Sequence, residues 1–313
     1  MFMQTEMNTK AVEYIPNKPS WKVWWKLTRP HTLTAGFVPV LIGTALAINN
    51  YEINIMLFCA MMLASLLIQA ATNMFNEYYD FKRGLDHEGS VGIGGAIVRD
   101  GITPRTVMTI ALSLYGISAL IGVYICMSTT WWLAVVGLIA MTIGYLYTGG
   151  PIPIAYTPFG EIFAGLFMGM LIILISFYIQ ANEITTLSIL VSIPIAVTVG
   201  AILLSNNIRD LDGDKENGRK TLAILLAKKK AVIFLASMFA FAYLWIIALV
   251  LMNVITPWTL LVILSLPLPI KSVKGFLTND TPIKMAPAMV QTAKTNTIFG
   301  FLLAIGLFIG HFI

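Results

Sequence analysis

Charge is scarce in this chain. Charged residues make up 11% of its 313 positions against 58% hydrophobic ones, a balance that excludes a soluble globular domain. Cysteine is nearly missing. Cys59 and Cys126 both lie inside apolar runs, which excludes a disulfide framework and any cysteine-based metal motif. The first thirty residues are polar and mixed, without the basic-then-apolar order of a cleavable signal peptide, so the first apolar run is expected to act as the insertion signal.

What the chain does have is long apolar runs. A bilayer core of about 30 Å takes about 20 apolar residues per helix. Nine runs qualify, at 33–50, 53–75, 105–127, 131–148, 160–180, 187–206, 230–252, 256–271 and 294–313. The eighth carries Pro267 and Pro269 near its end, where proline kinks or ends a helix but is tolerated in lipid. The expected fold is all-α: a multi-pass bundle of nine transmembrane helices, forming one domain over 33–313 behind a cytoplasmic segment over 1–32.

The placement of basic residues orients the bundle. With the N-terminus in the cytoplasm, all 20 Lys and Arg fall on one side. They lie in the N-terminal segment and in the connections after the second, sixth and eighth runs, while the opposite loops hold none. This is the positive-inside rule in extreme form. It puts the N-terminus inside and the C-terminus outside, and it accounts for the net charge of +5 without a nucleic-acid partner. The cytoplasmic connections are long, as lids and binding loops are, and are expected to cap a central cavity.

Two of those connections begin with clusters of carboxylates and amides. The first runs Asn73-Met-Phe-Asn76-Glu77-Tyr-Tyr-Asp80-Phe-Lys82-Arg83-Gly-Leu-Asp86. The second runs Asn206-Asn207-Ile-Arg209-Asp210-Leu-Asp212-Gly-Asp214, and continues to Arg219-Lys220-Thr221. A charge near the bilayer centre costs roughly 2.5–3.5 kcal/mol on insertion scales, so clusters beside membrane runs mark sites. One such cluster is as readily a solvated helix end paired with its own Lys and Arg, but two of matched spacing on one side favour a site. On a helix, residues three and four apart share a face, so Asn73, Asn76 or Glu77, and Asp80 form one stripe, and Asn206, Asp210 and Asp214 another. Carboxylate and amide oxygens suit Mg²⁺, which usually bridges one or two carboxylates to substrate phosphates. Lys82, Arg83, Arg209, Arg219 and Lys220 stand near enough in sequence to grip a diphosphate. Asp210-x-Asp212-x-Asp214 begins like a calcium-binding loop, but Lys215 and Thr221 stand where that loop needs Gly and Glu. The glycine-rich stretch from Gly89 to Gly101 is either a phosphate cradle or a flexible connector.

A diphosphate gripped at the membrane surface above an apolar cavity implies a lipid diphosphate and heterolysis of an allylic C–O bond. The resulting cation needs a dry pocket and electron-rich faces, for which Tyr78, Tyr79, Tyr145, Tyr147 and Phe163 are candidates. Ordinary packing explains any single one of them equally well.

From Thr28-Arg-Pro-His-Thr-Leu-Thr-Ala through the last run, the chain resembles the UbiA superfamily of intramembrane aromatic prenyltransferases, and within it the branch acting on 1,4-dihydroxy-2-naphthoate. Asn76-Glu77-Tyr-Tyr-Asp80 with Gly84 and Asp86 is similar to the first Asp-rich motif. Asn206-Asn-Ile-Arg-Asp210 with Asp214, Gly218, Lys220 and Thr221 is similar to the second. Two features of the first motif depart: Glu77 stands where the family usually has Asp, and Gly84 replaces the last Asp, with Asp86 two positions on. After the fourth run, Tyr145-Leu-Tyr-Thr-Gly-Gly-Pro-Ile-Pro carries no Lys or Arg, unlike the hydroxybenzoate branch.

The resemblance implies Mg²⁺-dependent transfer of a polyprenyl group from its diphosphate to 1,4-dihydroxy-2-naphthoate. Loss of CO₂ and diphosphate gives demethylmenaquinol, in menaquinone biosynthesis, on the cytoplasmic side of the cell membrane. It implies Asn73, Asn76, Asp80, Asp210 and Asp214 around Mg²⁺, with Asp80, Asp210 and Asp214 catalytic. Asn206, Lys82, Arg83, Arg209 and Lys220 would meet the diphosphate, and Arg29, His31, Tyr145 and Tyr147 the acceptor. The alternatives are another aromatic acceptor, or a transporter of an anionic lipid or metabolite. Charges gathered at one face, rather than on broken helices near the midplane, speak against the transporter. A CDP-alcohol phosphotransferase would need Asp-x-x-Asp-Gly-x-x-Ala-Arg, which is not present.

Overall fold

A computed structural model describes residues 21–48, 50–85 and 95–313, with the side chain of His31 outside that description. Asp86 and residues 89–94 of the glycine-rich stretch also fall outside it. The described residues are all helical, without a strand. In chain order the helices are α1 (Trp21–Leu27), α2 (Pro30–Ala47), α3 (Ile55–Lys82), α4 (Ala96–Arg99), α5 (Pro104–Ser128) and α6 (Trp132–Leu146). Then follow α7 (Gly160–Ala164), a π-helical turn (Gly165–Met170), α8 (Leu171–Ala181), α9 (Thr186–Arg209), α10 (Leu211–Glu216) and α11 (Leu222–Leu251). A 3₁₀ stretch (Pro257–Ser265), α12 (Pro267–Thr278) and α13 (Pro282–Phe312) complete the chain.

Seven of the expected spans are long and apolar enough to cross a membrane as they stand: 55–82, 104–128, 160–181, 186–209, 222–251, 257–278 and 282–312. The first expected span is a pair of helices, α1 and α2, bent by 61°, and the fourth is the shorter α6. The protein is therefore a multi-pass membrane protein. α6 has no fully buried residue, although Leu133 and Tyr145 pack against the neighbouring clusters.

Several helices run past the apolar segments that announced them. α3 extends to Lys82 rather than ending near 75, and α13 begins at Pro282 rather than 294, while α11 kinks at Ala227 (φ 61°, ψ 156°), so that a short helical piece from Leu222 precedes the span expected from 230. Helical hydrogen bonding does not stop where apolarity stops, and the local caps say where it does. Asn54 accepts from Leu57 N–H at 3.1 Å to start α3, Thr103 accepts from Thr106 N–H at 3.2 Å to start α5, and Thr185 with Ser188 forms a reciprocal capping box on α9. Pro267 marks where the 3₁₀ stretch gives way to α12.

The interior is built by close backbone approach. α2, α8, α9, α11 and α13 enclose a core that includes Val38, Ile42, Leu46, Ile173, Ile195, Ile246, Phe299 and Leu303. A Cβ on Gly169 would lie 2.6 Å from Ala196 Cα, and one on Gly165 2.5 Å from Ala196 O, so α9 rests directly on the π turn. Small residues of this kind let helices pack in lipid, where hydrophobicity supplies no force between them. A separate cluster of Leu27, Ala71, Phe75, Ile97, Val107 and Ala111 joins α1, α3, α4 and α5 and fixes the end of α3, from which the first polar cluster projects. At the opposite end of the bundle, Tyr51 bonds Glu183, and Asn54 and Gln180 exchange hydrogen bonds that tie the α2–α3 turn to α8.

Candidate active site

The last turns of α3 carry the first cluster. Asn73 is buried and donates to the Thr28 carbonyl and the Thr32 hydroxyl, both at 2.8 Å, holding α3 to the α1–α2 joint. At that joint Arg29 adopts φ 51° and ψ 67°, a left-handed conformation uncommon outside glycine, and Pro30 opens α2 behind it. Arg29 reaches Glu77 at 3.5 Å. The Glu77 carboxylate is buried and also accepts from Gly95 N–H at 2.6 Å and Ile97 N–H at 3.3 Å. It therefore ties the far end of the glycine-rich stretch to α3. Of that stretch, the two N–H groups at Gly95 and Ile97 face this carboxylate.

The second cluster does not lie on one continuous helix as its spacing implied. α9 ends at Arg209, Asp210 breaks helical geometry at φ −95° and ψ 7°, and α10 restarts at Leu211. The stripe survives because Asp210 N–H still bonds Asn206 O at 3.0 Å and Asp214 N–H still bonds Asp210 O at 2.8 Å. α10 then closes in a Schellman turn. Gly218 takes φ 73°, its N–H bonds Lys215 O at 3.1 Å, and Arg219 N–H bonds Asp214 O at 3.0 Å. That reversal brings the Arg219 side chain back over the cluster.

Arg219 joins the two halves of the bundle. Its Nη1 lies 3.0 Å from Asp214 Oδ1 and its Nη2 lies 3.3 Å from Asp80 Oδ1. Its guanidinium sits over the Tyr156 ring at 4.6 Å, and Arg83 faces the same ring at 5.2 Å. Arg83 also donates to the carbonyls of Thr148 (2.5 Å) and Gly150 (3.1 Å), and Lys220 N–H bonds Tyr156 O at 2.9 Å. The segment from Thr148 to Tyr156 is thus pinned between the two clusters. Beside them lies a cavity of about 60 Å³ lined by Arg29, Thr32, Asn206 and Arg209 with Ile202, Met289 and Ala293.

The remaining expected residues take varied places. Arg209 forks onto Asp210 at 2.7 and 2.5 Å. Lys82 is exposed, 6.0 Å from the Tyr78 ring centre, and Lys220 is exposed. The Tyr145 hydroxyl bonds that of Tyr79, and the Tyr147 hydroxyl is buried without a partner. The structure thus brings Asp80 and Asp214 together through one cation, with Asp210 one turn before Asp214, while Asn73 and Arg83 are engaged in holding the fold.

Two participants, Tyr156 and Glu161, escaped the sequence reading. Arg219 was visible only as one of several basic neighbours, and nothing marked Tyr156. Glu161 was visible as an acid inside an apolar run. It is buried and accepts from Asn207 Nδ2 at 2.9 Å, fastening α7 to α9 just behind Arg209.

The donor set fits a small hard cation. Asn76 Oδ1 and Asp214 Oδ2 are buried oxygens without hydrogen-bond partners. Burial pushes the Asp214 carboxyl up to about 6 despite the opposing pull of Arg219, so this carboxylate has too little positive charge beside it. Among the described residues no three acidic, histidine or cysteine side chains gather tightly enough to hold an ion by themselves. That suits an ion such as Mg²⁺, which completes its shell with water and phosphate oxygens.

Residues 36–298 match the UbiA prenyltransferase family. The chain is 59% identical over 298 residues to the 1,4-dihydroxy-2-naphthoate octaprenyltransferase of Bacillus subtilis (strain 168), covering 95% of this chain and 96% of that protein. It is 27% identical to the protein of the same name in Haemophilus influenzae, covering 92% and 96% of the two chains. Among solved structures, the apo UbiA homolog from Aeropyrum pernix K1 superposes with a TM-score of 0.64 at 16% identity, over 89% of this chain and 97% of that one. The UbiA homolog from Archaeoglobus fulgidus bound to DMAPP and Mg²⁺ gives 0.60 at 17% identity, over 90% and 99%. At such identities these structures report the fold.

Proposed function

This chain belongs to the UbiA prenyltransferase family, and from that membership we propose that it is a 1,4-dihydroxy-2-naphthoate polyprenyltransferase, joining a polyprenyl chain to that acid in menaquinone biosynthesis. The observation that carries the reading is the meeting of Asp80 and Asp214, from the two motifs, around one cationic side chain at one end of the bundle. The allylic C–O bond of the polyprenyl diphosphate breaks with both electrons leaving on the diphosphate. The naphthoate ring carbon bearing the carboxylate forms the new C–C bond, CO₂ departs, and the ring regains aromaticity as demethylmenaquinol.

The residues divide the work as follows. Asn76, Asp80, Asp210 and Asp214 would hold Mg²⁺, with Asn73 supporting the same helix face. When bound, the ion supplies positive charge to the departing diphosphate. Lys82, Asn206, Arg209 and Lys220 complete the clamp on the phosphate oxygens, and Arg83, expected to join them, would have to give up the Thr148 and Gly150 carbonyls to do so. Arg29 and His31 receive the acceptor carboxylate, and the two arginines and the asparagine lining the cavity suit an anion there. Tyr145 and Tyr147 present aromatic faces toward the cationic carbon.

We count nine membrane passes by adding the bent α1–α2 pair and α6 to the seven long apolar helices, and the distribution of Lys and Arg favours an N-terminus and a site on the cytoplasmic side. The test is direct. Purified protein is offered 1,4-dihydroxy-2-naphthoate and 4-hydroxybenzoate together with one polyprenyl diphosphate and Mg²⁺, and the products are identified by mass. Prenylated naphthoquinol with loss of CO₂ is expected, and a prenylated hydroxybenzoate would overturn the assignment.

A further inference from the structure

We propose that Arg219, laid on Tyr156, is a resident counter-ion that keeps the divalent metal from binding until a diphosphate arrives, so that metal and diphosphate enter as a mutually dependent pair. This rests on the reading of Asp80 and Asp214 as metal ligands. The guanidinium gives each acid one nitrogen, at 3.3 and 3.0 Å, and so already meets the need for positive charge between them. It meets that need incompletely. Asp214 Oδ2 and Asn76 Oδ1 remain buried without partners, oxygens that a planar fork has not reached and a small spherical ion suits.

The arginine is also held so that it can leave. Its Nε is buried without a partner, and what restrains the head is the two carboxylates and the Tyr156 ring. That ring stays in place when the head moves, because Arg83 faces it at 5.2 Å and Lys220 N–H holds its backbone carbonyl at 2.9 Å. A divalent ion entering alone would put two like charges side by side and leave the guanidinium without an anion. A diphosphate entering with the ion gives the displaced guanidinium new oxygens within reach, in the geometry that Arg forks prefer. Coupling between two ligands is reciprocal, so diphosphate raises metal affinity by the same factor by which metal raises diphosphate affinity. In this arrangement Tyr156 is a positioning residue, acting through Arg219.

The experiment measures Mn²⁺ binding by electron paramagnetic resonance on full-length protein in detergent, without turnover. In the unmodified protein, Mn²⁺ alone should bind at least tenfold more weakly than Mn²⁺ with saturating geranyl diphosphate, after correction for the complex formed in solution. Equal affinity with and without the diphosphate overturns the proposal, and this comparison needs no variant to fold. Arg219→Met should bind Mn²⁺ alone at least tenfold more tightly than the unmodified protein and lose most of the coupling. Arg219→Lys, which keeps the charge but not the fork, should fall between. Tyr156→Phe should behave as the unmodified protein, whereas Tyr156→Leu should strengthen binding of Mn²⁺ alone. An Arg219→Met protein with unchanged metal affinity refutes the role of Arg219 alone, provided Asp80→Asn still removes binding. If Asp80→Asn leaves Mn²⁺ binding intact, the metal reading itself fails.

Discussion

Glu77 offers the sharpest separation between holding the fold and holding a metal. Its family position usually bears an aspartate, and its carboxylate is buried against Gly95 N–H at 2.6 Å, Ile97 N–H at 3.3 Å and Arg29 at 3.5 Å. Glu77→Ala strands two buried backbone donors, each costing about 1–3 kcal/mol. It also leaves a largely enclosed arginine without its partner, so the expected loss of stability is about 3–5 kcal/mol. Glu77→Gln keeps an acceptor oxygen for the backbone groups and gives up the charge facing Arg29, for an expected loss of about 1–2 kcal/mol. Glu77→Asp keeps the charge but withdraws it by one methylene from Gly95, and should fall between the two. Thermal unfolding in detergent, read by the accessibility of the buried Cys126 thiol to a dye, ranks the three. The same preparations are then titrated with Mg²⁺ for prenyl transfer. If Glu77 staples the loop, Glu77→Gln lowers stability while its half-saturating Mg²⁺ stays within about twofold of the unmodified enzyme. A Glu77→Gln protein of unaltered stability that needs tenfold more Mg²⁺ would refute the reasoning and return Glu77 to the ligand set.

Other outcomes follow from the same geometry. Asp80→Asn and Asp210→Asn should each lower turnover at least a hundredfold while the protein still elutes as a folded species in detergent, and near-normal prenyl transfer by either would remove it from the metal site. Because burial holds the Asp214 carboxyl up at about 6, protons and Mg²⁺ compete for it. Apparent Mg²⁺ affinity should weaken as the pH falls from 7.5 to 5.5, a slope that metal titrations at several pH values would show and Asp214→Asn would flatten. Gly169→Ala drives a Cβ to 2.6 Å from the Ala196 backbone, so the π turn and α9 must separate. A loss of about 1–3 kcal/mol, read from detergent unfolding, is expected.

Much of this arrangement was legible in the chain. The apolar runs located the helices, because in lipid a backbone must bond to itself, and nothing but length and apolarity is needed to say where. Asp80, Asp210 and Asp214 stood out because carboxylates beside membrane runs need a reason. The helix ends were misjudged where polar residues continue a helix, as from Asn76 to Lys82 and from Pro282 to Lys294. Tertiary pairing was not legible. Arg219 meets Asp80 only because Gly218 reverses the chain, a turn that the motif alone did not announce. Glu77 looked like a weakened ligand because its partners, Gly95 and Ile97, come from a stretch whose fold no periodicity announces. Glu161 was not singled out in the sequence, and Asn207 as its partner became visible only when α7 lay against α9.

The π-helical turn at Gly165–Met170 gives the long path from Gly160 to Ala181 one residue more than a regular helix would need. Upstream of it Glu161 points at Asn207, and downstream Ile173 and Phe177 point at the main core. Both orientations hold only with that surplus residue in place. Deleting Leu166 would restore the ordinary pitch and swing one portion of the path about 100° relative to the other. Either the carboxylate would leave its amide or the apolar pair would leave the interior. A single inserted amino acid thus acts as a rotary offset, allowing one membrane crossing to serve a polar rim and a greasy centre that lie on different bearings around its axis.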